Sequence, residues 1–118
     1  MRLNEVTYPE GRPVEGYGPG FFRIGGEVIT GGLLVLPSGI SQWAGYAALD
    51  PILAEAANID VLFIGTGGEI AHIPAEMRTA LEEAGIGVEI MASPAACRSF
   101  NVLLSEGRRV ALAVRPVA

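Results

Sequence analysis

The chain has 118 residues, half of them apolar and 18% charged, so it is sized for one domain with its own core and is too apolar for disorder. Eight arginines against thirteen acids leave a net charge of −5, and lysine is absent, which excludes Schiff-base, P-loop lysine and pyridoxal phosphate chemistry. A single cysteine, Cys97, and a single histidine, His72, leave no intramolecular disulfide and no Cys/His zinc cage, so neither a cofactor nor a metal is expected.

Residues 1–20 carry Pro9, Gly11, Pro13, Gly16, Gly18, Pro19 and Gly20, a density of turn formers that predicts an irregular N-terminal arm before an α/β domain at 21–118. Phe21 to Ile24 and Glu27 to Thr30, joined by Gly25-Gly26, read as a β-hairpin, because both glycines tolerate the positive φ of a two-residue turn. Leu33 to Leu36 is a continuous apolar run ending at Pro37-Ser38-Gly39, the pattern of a strand covered on both faces. Asp50-Pro51 predicts a helix start with Asp50 as the cap, and Asn58 its end.

Val61 to Ile64 shows no alternation and is expected at the sheet centre, with Gly65-Thr66-Gly67-Gly68 directly after it. Pro74 opens a second helix, which Gly85 stops, and Val88 to Met91 forms a strand parallel to Val61 to Ile64. Ser93-Pro94 is read as the cap of a third helix, whose Ala96, Phe100, Leu103 and Leu104 make the buried face until Gly107. In Arg108 to Val114, the alternation of Val110, Leu112 and Val114 with Arg109, Ala111 and Ala113 predicts a strand with one face more exposed. Three helices and five or six strands of mixed direction make a layered α/β domain.

No segment has the apolar length of a membrane span, and the first residues lack a signal-peptide core, so a cytoplasmic protein is expected. The negative charge argues against nucleic acid as a partner. From Arg98 onward the balance reverses, with Arg98, Arg108, Arg109 and Arg115 against Glu106 alone. These arginines either pair with acids elsewhere or form a site for an acidic partner.

The candidate site residues divide into a few groups. Gly65, Thr66 and Gly67 stand where open α/β sheets bind ligands, but Ile70 replaces the third glycine of a dinucleotide fingerprint, so a tight turn competes with a ligand loop. Cys97 lies one turn into the third helix, where the helix dipole and Arg98 favour a thiolate and His72 is a conceivable base. The alternative is a small packed side chain. Asn101 falls beside Cys97 and Arg98 on the helix surface, a small polar patch or a backbone clasp. Glu106 and Arg108 flank Gly107 and either pair with each other, or Arg108 holds the last helical carbonyls. Trp43 either plugs a core edge or serves as an exposed interface anchor.

Leu36-Pro37 with Trp43 downstream, Gly65-Thr66-Gly67, Gly85 with Glu89, and the string Ala96-Cys97-x-x-Phe100-Asn101-x-Leu103-x-x-Glu106-x-Arg108 together resemble one family. It is the small α/β family that contains mitochondrial respiratory complex I assembly factor 3, and the resemblance runs from about Gly18 to Pro116. It implies a three-layer fold with a mixed central sheet, no catalytic residues, and assembly of a membrane-bound respiratory complex through protein contacts. No import segment precedes Met1, so a bacterial relative is expected, and Ser93 stands where the family often has Thr.

The expectation is therefore an interaction or assembly factor that binds an inner-membrane complex or another assembly factor through Trp43 and the Arg98 to Arg109 region, lies peripheral to the membrane at most, and is free to form homo-oligomers. The rival is a small anionic ligand or thiol redox site at Gly65 to Gly68 with Cys97, Arg98 and Asn101.

Overall fold

The apolar runs of the sequence meet in one five-stranded sheet. In the computed structural model, which describes residues 12–118, its strands are β4 (Gly32–Leu36), β5 (Gly39–Trp43), β6 (Val61–Gly65), β7 (Gly87–Met91) and β8 (Val110–Val114). Their spatial order is β5-β4-β8-β6-β7, with β4 antiparallel to both neighbours and β8, β6 and β7 parallel. A second, three-stranded antiparallel sheet holds β1 (Val14–Gly18), β2 (Phe21–Ile24) and β3 (Glu27–Thr30). The helices are α1 (Asp50–Ala54), followed by a 3-10 turn at Ala56–Asn58, α2 (Ala75–Glu83) and α3 (Ser93–Ser105).

Alternate residues of each central strand enter two separate cores, because successive side chains point to opposite faces of a sheet. Leu33 and Val35 of β4, Phe63 of β6 and Val110, Leu112 and Val114 of β8 pack under α3 and the small sheet, against Phe100, Leu104, Phe22 and Ile24. Leu34 and Leu36, Leu62 and Ile64, and Ala111 and Ala113 pack on the other face against Ile52, Met77 and Leu81 of α1 and α2. This gives the three layers and the mixed central sheet that the family resemblance implies.

Several expectations need correction. The arm foreseen as irregular becomes strand β1 from Val14, since Gly16 and Gly18 still pair with β2 opposite Arg23 and Phe21; residues 1–11 lie outside the described part. Gly39–Trp43, to which the sequence reading assigns no element, is a strand antiparallel to β4. All five residues of β8 are buried, because it sits between β4 and β6 and its small alanine face admits the α1 and α2 layer. Asp50 does not cap α1: Leu49 holds that position and no side chain bonds the free amides.

Candidate functional site

The carboxyl ends of β6, β7 and β8 lie together at one end of the sheet. The connection leaving β6 passes to α2 on one face and the connection leaving β7 to α3 on the other. Diverging connections of this kind open the crevice in which α/β sheets bind ligands. Here the first residue of α3 fills it. The Ser93 hydroxyl accepts from Gly67 N–H at 2.9 Å and donates to the Arg115 carbonyl at 2.7 Å, and Ser93 N–H donates to the Gly67 carbonyl at 2.7 Å. Ser93 is fully buried and caps nothing, so the cap role read from Ser93-Pro94 is replaced by a bridge between the ends of three strands.

Gly65 is required by this close approach. A Cβ there would lie 2.5 Å from Val114 Cγ1, 2.6 Å from Ser93 Oγ and 2.7 Å from Ser93 Cα. Gly67 adopts φ +107, which other residues rarely enter. Thr66 closes the turn on itself: its N–H donates to the Met91 carbonyl at 3.0 Å, and its hydroxyl donates to the Glu69 carbonyl at 2.7 Å and accepts from Ala71 N–H at 3.0 Å. Gly65, Thr66 and Gly67 thus form a self-satisfied turn closed by α3.

The three α3 candidates do not converge on that turn. Cys97 is buried in the core with Phe100 and Leu104. Its burial pushes the thiol up to about 12, and nearby Arg98 offsets this only in part. A thiol in that state stays protonated at neutral pH and is a poor nucleophile. Asn101 reaches the other sheet: its Nδ2 donates to the Val14 carbonyl and its Oδ1 accepts from Val14 N–H, both at 2.8 Å, as a neighbouring strand would. Arg98 borders a groove with Glu89, Met91 and Val102 between α3 and β7. The polar patch foreseen from helical spacing is therefore divided among core, clasp and groove.

Glu106 and Arg108 are exposed at the far end of α3, about 20 Å from Ser93 at 1.5 Å per residue. Among the described residues they form no ion pair with each other. Arg108 N–H and Gly107 N–H close the helix on the carbonyls of Leu103 and Leu104. The neighbouring Arg109 binds the Asp60 carboxylate at 2.7 Å and the Ala57 carbonyl at 3.2 Å. That hydrogen bond holds the Asp60 carboxyl below its ordinary range.

Trp43 is not an exposed anchor. It is 5% exposed in the core with Leu34, Leu36 and Ile52, because β5 turns it onto the α1 face. Its ring meets Tyr46 edge-on at 5.6 Å, and the Arg115 guanidinium lies 5.3 Å from the Tyr46 ring centroid. Its indole N–H has no acceptor among the described residues.

Sequence reasoning missed the bridging role of Ser93, although the bare Gly65 one strand away was a signal of close approach. It also missed the outer edge of β7, because strand order is invisible along the chain. Among the described residues no three His, Cys, Asp or Glu side chains gather as a metal site, and no helix is long and apolar enough to cross a membrane.

The family described as protein of unknown function (DUF498/DUF598) matches residues 14–114. The chain belongs to this family. It is 46% identical over 117 residues to an uncharacterized protein of Rhodobacter capsulatus, covering 99% of this chain and 94% of that one. It is 34% identical over 113 residues to NADH dehydrogenase [ubiquinone] 1 alpha subcomplex assembly factor 3 of Danio rerio, and there it spans 90% of its own length but 65% of the relative's. A crystal structure described as an outer membrane protein from Bartonella henselae superposes with a TM-score of 0.86 at 36% identity, covering 95% of this chain and all of that one. The resemblance read from the Ala96 to Arg108 string is thus shown at the level of family and fold.

Proposed function

We propose that this protein is a protein-interaction module that assists assembly of a respiratory NADH dehydrogenase at the inner membrane. The observation that carries the reading is its kinship, across most of its length, with relatives named as assembly factors of that complex. Two features of the site support it. The crevice where this topology would bind a small molecule is filled by Ser93, and the Cys97 thiol is buried and protonated. Neither favours the anionic-ligand or redox alternative.

Arg98 and Arg108, both exposed, are the partner-facing residues in this reading, whereas Trp43 acts from within by shaping the β5 edge. Placing a photo-crosslinking residue at position 98 and identifying adducts in isolated membranes tests the proposal. Recovery of dehydrogenase subunits or of a second assembly factor supports it. Adducts confined to unrelated proteins overturn it. Photochemistry is required because amine-directed reagents find no lysine on this chain.

A further inference from the structure

The outer edge of β7 combines a free backbone with two flanking apolar grooves. Gly87 N–H donates to the Asp60 carbonyl and the Met91 carbonyl accepts from Thr66 N–H, both on the β6 side. In a parallel pair, bonding direction alternates by residue, so Val88 and Ile90 direct their N–H and C=O groups outward. Among the described residues no strand meets them, because β7 ends the sheet.

On the α2 face of this edge, Ile90 lines a groove of about 530 Å³ with Ile70, His72, Ile73 and Arg78, and Ile70 is 66% exposed. On the α3 face, Phe63, Met91, Val102 and Leu103 line a second groove of about 590 Å³, bordered by Glu89 and Arg98, with Val102 55% exposed. Two of the most exposed large apolar residues therefore straddle this edge strand, whose outer hydrogen bonds no described strand makes. Edges of this kind accept an added strand unless a charge guards them.

Glu89 is that charge, and it decides the occupant. Two copies pairing antiparallel about Glu89 would match Val88 with Ile90 of the other copy and make the most backbone bonds. That register sets both Glu89 residues opposite each other, with Cα atoms about 4.5 Å apart, which is destabilising. A strand with a cation at that position gains where a second copy loses. Glu89 has no ion-pair partner among the described residues, and Arg98 belongs to α3, which packs mainly on β6 and β8.

We propose that the outer edge of β7 receives an extended segment of a partner protein as a sixth, antiparallel strand. The segment bonds the backbone of Val88 and Ile90, turns apolar residues toward the Ile70 to Ile73 groove and sets a Lys or Arg opposite Glu89. This deepens the protein-interaction reading above and rests on it, by naming the surface and the chemistry of the partner.

The test uses the full chain labelled with 15N and two peptides, Thr-Thr-Val-Lys-Val-Thr-Thr and its variant with Glu at the centre. The expected result is saturable shifts and slowed exchange of the Val88 and Ile90 amides, with the Lys peptide binding roughly fivefold more tightly. Glu89→Lys should reverse that preference. Silence of these two amides with both peptides, a preference unchanged in Glu89→Lys, or a stable dimer that protects the same amides each overturn the proposal. If crosslinking from position 98 recovers dehydrogenase subunits while the peptides fail, the assembly role stands and uses another surface.

Discussion

The two sides of strand β7 make a direct contrast. Its inner side is saturated: it pairs with β6, and at its end Ser93 ties Gly67 to Arg115 with a buried hydroxyl. Its outer side carries unmade backbone bonds between two apolar grooves, with Glu89 at the centre. The inner side lies where ligand crevices form in α/β sheets, yet it is the side with no room. Position in a topology thus marks where a site can form, while the side chains decide whether one does.

Substitutions on the two sides should separate stability from binding. Gly65→Ala should cost the most, about 3 kcal/mol, because the new methyl meets the Ser93 backbone and Val114, and the strand ends must part. Urea unfolding measures this, and a loss under 1 kcal/mol would mean that the junction is loose enough to admit a ligand. Ser93→Ala should cost about 2 kcal/mol, since it leaves the buried Gly67 N–H and the part-buried Arg115 carbonyl without their partner.

A third expectation concerns pH. The folded state holds the Cys97 proton up to about 12, whereas the unfolded thiol releases it near 9. Stability linked to Cys97 is therefore full below pH 9 and declines toward pH 12, by about 1.4 kcal/mol per pH unit at the steepest. Comparing the pH slopes of wild type and Cys97→Ala isolates the effect, and equal slopes would mean an exposed, reactive thiol. Smallest of all should be Glu89→Lys, with a stability change within about 0.5 kcal/mol, because the side chain is exposed on the open side.

Legibility in the sequence followed the same division. Val61 to Ile64, the hairpin around Gly25-Gly26 and the third helix were readable because uninterrupted apolar runs, paired glycines and helical spacing are local signals. Strand β5 was not, since Gly39-Ile40-Ser41-Gln42 has the composition of a turn and pairs only because β4 folds back on it. Strand β8 was seen with its two faces correctly sorted, but its burial on both depends on the distant β4 and β6. The site residues were harder to read. Helical spacing placed Cys97, Arg98 and Asn101 near one another, but α3 faces a core, a groove and a second sheet at once, and each side chain meets a different one.

Of the five strands in the main sheet, β8 comes last along the chain yet sits third across it, between β4 and β6. While the polypeptide is being synthesised, the β4-β5 pair and the β6-β7 pair can each form, but no strand pairing joins them until residues 110–114 emerge from the ribosome. Until then two sticky inner borders face solvent together, a period in which nascent copies are most exposed to aggregation or chaperone capture. Shortening the chain by these few residues would leave the main sheet as two strand pairs with no hydrogen bonds between them, whereas trimming an outer strand would only narrow it.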